Sequence, residues 1–252
     1  MTPRTILLLV LLLPTPLSAW SKENQVQIGW EAARLAPPDL YRQILRHKLA
    51  FRDGLIAPFD DSDERRHEKN ADGSGSLDLV IGQEAQRAVS YIVGHRPFED
   101  VVEQLGVLVH YLNDANYPLR TSTADPAESK YADDFVRYVS SAEPRFAVAF
   151  YGVDERLDGI ETVPAFVQRT LQRSRALYPF IGQEYSRIGG RSGVGAFDDR
   201  STAFGVAAVS FSRALTDAVA MLRLVWLEAG GADPVARLPQ SADRLIKVPR
   251  LH

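Results

Sequence analysis

Helical periodicity dominates the hydrophobic pattern of this chain. Residues 26–35 form a short amphipathic segment that Pro37 and Pro38 stop. Asp39 can cap a following helix that carries Leu40, Ile44, Leu45 and Leu49 and ends near Gly54. Residues 58–78 are polar and charged without any apolar period, and read as a loop. The period resumes at 80–93 and again after Pro97, where Val101, Val102, Leu105, Leu108, Val109 and Leu112 mark a helix that stops near Pro118. Residues 125–139 and 163–177 read as helical, 146–159 as a strand-like turn, and the glycine-rich run 189–199 as a linker. A long apolar segment, 203–229, closes on Gly230 and Gly231 as its stop. It carries Arg213, Asp217 and Arg223, and three central charges favour a buried bundle helix over a membrane span. The pattern predicts an all-α, multi-helix domain over residues 20–231, followed by a tail at 232–252.

The first residues follow a different logic. Arg4 precedes an unbroken apolar run from Ile6 to Leu13, then Pro14, Pro16 and Leu17-Ser18-Ala19. This is the layout of an export signal, too short to span a bilayer, with cleavage expected after Ala19 so that Trp20 becomes the first residue. The expected location is therefore periplasmic or secreted, with no transmembrane segment in the mature chain. Composition is that of a globular domain, 45% hydrophobic and 24% charged, and the net charge of -3 lends no support to nucleic-acid binding through a basic patch. The chain has no cysteine, so stability must come from packing, and any metal site must use His, Asp, Glu or backbone donors.

Within the helix before Pro118, His110 and Asp114 stand four residues apart and share one face, so both side chains can reach one ion of a kind that suits zinc. The plain alternative is a core histidine beside a solvated carboxylate. The polar loop adds Asp60, Asp61, Asp63 and His67, which are free to turn inward or to remain solvated. The run from Glu68 to Gly73 lacks the acidic residue that would close a calcium loop. His47, between Arg46 and Lys48, is poorly placed for a cation, His95 follows Gly94 at a helix end, and His252 is terminal. No G-x-S-x-G occurs, and the glycine-rich run lacks the lysine of a phosphate-binding loop.

Several stretches together resemble the zinc-dependent phospholipase C and S1/P1 nuclease superfamily. "LGVLVHYLNDANYPL" resembles its HYLxDxxxP helix, "HEKNADG" its H-x-x-D-x-x-G run, "GLIAPFDD" the segment bearing a ligand Asp, and "SKYADDFV" its next helix. The resemblance implies a helical bundle and a zinc on Asp60, His67, His110 and Asp114, with Asp61 the alternative to Asp60. It also implies a role for the Trp20 amino group and carbonyl, which with a bridging Asp114 would hold a second ion. Asp60 would serve as base or ligand, and the implied activity is hydrolysis of a phosphodiester or phospholipid by metal-activated water.

The chain departs from that pattern where the family has further ligands. No His occurs before His47, and Asn24, Gln25, Gln27 and Gly29 occupy the region after Trp20. Arg120 stands where the family has His, and Glu128-Ser129-Lys130-Tyr131-Ala132 where it has His-x-x-x-Glu. A depleted cluster leaves two expectations: a phosphoesterase with one or two metals, or a non-catalytic relative that keeps one structural zinc. Arg120 is either the candidate to bind anions in place of the missing ion, neutralised by Glu128 or Asp133, or an exposed arginine after a helix stop.

Overall fold

The computed structural model describes residues 19–232. The expected signal segment, apart from Ala19, and the tail beyond Ala232 lie outside the described residues. The described residues form helices and turns with no strand among them. The α-helices are α1 (Lys22–Leu35), α2 (Pro38–Arg46), α3 (Lys48–Ile56), α4 (Leu77–Val93), α5 (Phe98–Ala115), α6 (Ala132–Ala142), α7 (Val163–Arg175), α8 (Tyr178–Arg187), the single turn α9 (Gly193–Ala196) and α10 (Thr202–Glu228).

The long apolar segment is the centre of the bundle. Ser201 caps α10 by accepting a hydrogen bond from the Phe204 amide. Nearly the whole helix from Ser210 to Leu222 is buried, so its apolar character is spent on packing against α1, α5 and α8. Its length and composition would also pass for a membrane span, but 78% of the relevant stretch is covered by the rest of the bundle. Asp217 within it pairs with Arg173 of α7.

The tightest crossing is between α3 and α5. A Cβ on Gly54 would come within 2.0 Å of the Glu103 carbonyl oxygen, and one on Gly106 within 2.4 Å of the Phe51 carbonyl oxygen. Both positions therefore require glycine, because the two backbones touch. That approach brings the Leu55 carbonyl to the ring of His110, 2.8 Å from Nδ1, and so links the crossing to the candidate chemistry.

Local chemistry explains where the helices differ from the periodic reading. The helix expected from Asp39 to Gly54 is two helices, because the chain bends at His47 (φ -112°, ψ 40°). Pro38 begins α2, and Asp39 pairs with Arg42. The start of the 125–139 segment is not α-helix. Asp125 accepts from the Ala127 amide at 2.8 Å and from the Tyr131 hydroxyl at 2.8 Å, and this local turn delays α6 to Ala132. The 146–159 segment is a strap without β pairing. Its amides at Ala149 and Tyr151 donate to Ser212 and Thr216 of α10, each at 3.1 Å. Asp134 pins the glycine-rich run, accepting from Tyr185, Ser192 and the Gly193 amide. The helix α8 was not anticipated from the pattern.

Candidate metal centre

His110 and Asp114 lie on the inward face of α5, as their four-residue spacing requires. His67 arrives from a separate segment, the 3₁₀ turn Glu64–His67. Contacts made by Lys69, Arg175 and Arg66 hold that turn in place. The Lys69 amide donates to the Arg120 carbonyl at 2.9 Å. Arg175 of α7 donates to both the Thr121 and Lys69 carbonyls, at 2.7 and 2.9 Å. Arg66 bridges Asp61, at 2.8 Å, and the buried Glu84 of α4, at 3.5 Å.

His67, His110 and Asp114 present ligand atoms that all lie within 4.8 Å of one another, and all three residues are buried. Asp114 Oδ2 is 2.7 Å from His67 Nδ1 and 3.4 Å from His110 Nε2. Two imidazoles and a carboxylate are a donor set that fits zinc. The Leu55 carbonyl fits the proton on Nδ1 of His110, which leaves Nε2 directed at the trio; a backbone carbonyl commonly orients ligand histidines in this way.

Burial alone would push the Asp114 carboxyl up, but His110 and His67 outweigh it and hold the group below the usual carboxylate range. Burial likewise works against a charged His67, yet the Asp114 carboxylate raises its pKa above the ordinary imidazole value. Both directions describe a carboxylate that wants positive charge beside it. Tyr111, pushed up to about 12 mainly by burial, keeps its hydroxyl proton and donates it to Asp61 at 3.1 Å.

The candidate residues do not all converge. Asp60 is exposed at the end of the 3₁₀ turn Ala57–Asp60 and lies outside the trio. Its neighbour Asp61 is the carboxylate turned toward the site, through Tyr111 and Arg66, although it too is outside the trio. The four-donor set centred on Asp60 is thus met by three donors. Trp20 is buried, and its indole donates to the Asn113 carbonyl at 2.9 Å while its ring packs against Tyr117 and Phe211. Arg120 is buried but pairs with Glu64 at 2.9 Å, in place of the expected Glu128 or Asp133. Glu128 instead accepts from the Tyr178 hydroxyl at 2.5 Å, and Asp133 is exposed.

Two residues not singled out as site groups complete the surroundings. Gln25 donates to Asp114 Oδ1 at 3.0 Å and accepts from the Asn113 amide at 2.6 Å. Gln25 stands in the region where the resemblance expects a histidine, and nothing in its sequence neighbourhood tells which of several polar residues turns inward.

No protein-family model matches the chain, and no curated protein matches it. Among solved structures it is similar to the alpha-toxin of Clostridium perfringens isolated from avian strain SWCP, with a TM-score of 0.61 at 12% sequence identity. The match covers 87% of this chain and 66% of that one, so this chain spans about two-thirds of the toxin's length. At that identity the likeness shows the fold alone, the all-α multi-helix bundle expected from the sequence.

Proposed function

We propose that this chain is an exported, zinc-dependent phosphoesterase-like protein with a reduced metal site, acting on a phosphodiester or phospholipid. The observation that carries the reading is the buried trio of His67, His110 and Asp114. Three protein donors are the hallmark of catalytic zinc sites, which keep a further position for water or substrate, whereas structural sites use four. Zinc bound there would supply Lewis acidity toward a phosphoryl oxygen and activation of a water. The chain's own groups then have distinct tasks. Leu55 fixes the His110 ring, and the His67–Asp114 pair sets the charge of the site. Asp61, whose carboxyl is lowered because backbone and Tyr111 hydrogen bonds and Arg66 outweigh its partial burial, stays ionised at the rim and can orient a water. It takes the base role expected of Asp60.

Trp20 enters this reading through cleavage after Ala19, which would free its amino group, the donor that the resemblance assigns to a second ion. Mass analysis of exported protein decides that point, and a mature start elsewhere removes Trp20 from the ligand set.

One observation favours a second reading. Asp114 Oδ1, the carboxylate oxygen not paired with the imidazoles, already accepts a hydrogen bond from Gln25. A non-catalytic relative holding a single structural zinc would have this arrangement. Zinc stoichiometry of the signal-cleaved protein, measured with turnover of a phosphodiester and a short-chain phospholipid, separates the two. Zinc-dependent turnover lost in His110→Ala supports the enzyme. Stoichiometric zinc without turnover supports the structural reading, and absence of bound zinc overturns both.

A further inference from the structure

Two polar groups beside the trio are buried without the partners that such groups ordinarily find. Arg120 is 8% exposed; its Nη1 donates to Glu64, but its buried Nε has no hydrogen-bond partner among the described residues. Tyr117 is 2% exposed and its hydroxyl has none either. They are close in the chain and tied by the Arg120 amide, which donates to the Tyr117 carbonyl at 2.9 Å. Arg120 pairs with Glu64 on the turn Glu64–His67, and the Tyr117 amide donates to the Asp114 carbonyl at 3.0 Å, so both unpartnered groups are tied to segments that bear the trio.

The chemistry of these groups selects the ligand. A guanidinium is always charged and only donates, and a tyrosine hydroxyl can donate alongside it, so a cation is excluded and an anion rich in acceptors is favoured. The carboxylates nearby are accounted for. Glu128 is held by Tyr178, Asp133 is exposed, and Glu64 reaches Arg120 from a side chain 41% exposed. Glu64 is thus the one carboxylate that can leave for solvent at little cost.

We propose that Arg120 and the Tyr117 hydroxyl form an anion subsite that takes the phosphoryl group of a phosphate ester, with Glu64 as the carboxylate the incoming anion displaces. The fork geometry of arginine matches tetrahedral phosphate oxygens, and charge-assisted bonds of this kind are the strong ones. The subsite rests on the phosphoesterase reading for its place beside the reacting centre, but its binding can be measured on its own.

Calorimetric titration of zinc-loaded protein with inorganic phosphate is the test, with zinc content and thermal melting recorded for each variant. Arg120→Gln should weaken phosphate binding by about tenfold or more, and Tyr117→Phe by roughly threefold, as expected for losing a charged and a neutral hydrogen bond. Glu64→Gln, on the exposed rim, should tighten it by roughly threefold because the competitor loses its charge. Zinc content should stay unchanged in all three. If Arg120→Gln unfolds the chain, Arg120→Lys and Glu64→Gln decide. Phosphate affinity that is the same in folded Arg120 and Glu64 variants as in the parent overturns the subsite and leaves the metal reading standing. Arg120-dependent phosphate binding in a protein that takes up no zinc overturns the metal reading and leaves the subsite standing. Phosphocholine and a nucleoside 5′-monophosphate then distinguish the source of the phosphoryl group. The tighter binder names the ester class, and failure of both while inorganic phosphate binds overturns the assignment to an ester.

Discussion

Asp114 on α5 and Asp217 on α10 are equally hidden, at 1% and 3% exposure, yet they are met by opposite kinds of partner. Asp217 faces a fixed cation and two neutral donors: Arg173 at 2.9 Å, Thr170 at 2.8 Å and Asn116 at 3.1 Å. Asp114 faces two imidazoles and the Gln25 amide, with no guanidinium or ammonium among these partners. At Asp217 burial wins, and the carboxyl is raised even though Arg173, Asn116 and Thr170 pull it down. At Asp114 burial loses to His110 and His67, and the carboxyl is lowered. The low value presupposes positive charge on the imidazole side, which a proton or a metal cation supplies. The comparison teaches that one carboxylate is met by a cation of fixed charge, while the other is met by imidazoles, whose charge depends on a proton or, on the proposed reading, gives way to a bound metal.

Breaking the clamp around Asp217 should have the largest effect. Asp217→Ala leaves Arg173, Thr170 and Asn116 without their acceptor and should cost about 3 kcal/mol, as removal of one partner of a buried pair does. Denaturant unfolding checks this, with zinc content expected to be unaffected. A loss below about 1 kcal/mol would mean the clamp does not stabilise the fold as a buried pair does.

The site around Asp114 should answer differently. His110→Ala should lower zinc content and Tm together. Removing metal with a chelator should then lower Tm in the parent protein but hardly change the variant. In the metal-free state the variant should still lose about 2 kcal/mol, since the Leu55 carbonyl loses its donor and a cavity remains. Unchanged zinc content in His110→Ala would sink the trio as a metal site.

A smaller, pH-dependent difference sharpens the contrast. Because the folded pKa of Asp217 is raised above its ordinary 3.8, its protonation favours the folded state. That contribution is complete below the unfolded value and is lost as pH rises through the folded one. Asp217→Asn does not titrate, so the stability advantage of the parent over this variant should shrink as pH rises above about 4. An advantage that grows over the same window would reverse the assigned direction.

The smallest effects belong to the acidic pair at the rim. Asp61→Asn should cost about 1 kcal/mol by loosening Arg66 and Tyr111. Asp60→Asn should change stability by less than about 0.5 kcal/mol and leave zinc content as it is. Loss of zinc in Asp60→Asn would restore Asp60 to the ligand set.

Much of this could be read from residue order because it is local. Helical period, proline and glycine punctuation and the one-turn spacing of His110 and Asp114 depend on a few neighbouring residues, and they led to an all-α bundle with a candidate ligand pair on one face of α5. The same pattern distinguished α10 as a core helix, since three central charges disfavour a membrane span, and Asp217 finds its partner Arg173 inside the bundle.

What only the tertiary structure decided lies in the irregular segments, where side-chain direction is set by distant contacts instead of by period. The loop at 58–78 contained several carboxylates of equal local standing. Tyr111 and Arg66 turned Asp61 inward and left Asp60 in solvent. Arg175 and the Lys69–Arg120 backbone bond brought the His67 turn against α5. Glu64, carried on that same turn, pairs with Arg120, while Glu128 is held by Tyr178. A helix repeats its directions every few residues and so announces them in the sequence; a loop takes its directions from whatever packs against it, and those partners are known only once the chain has folded.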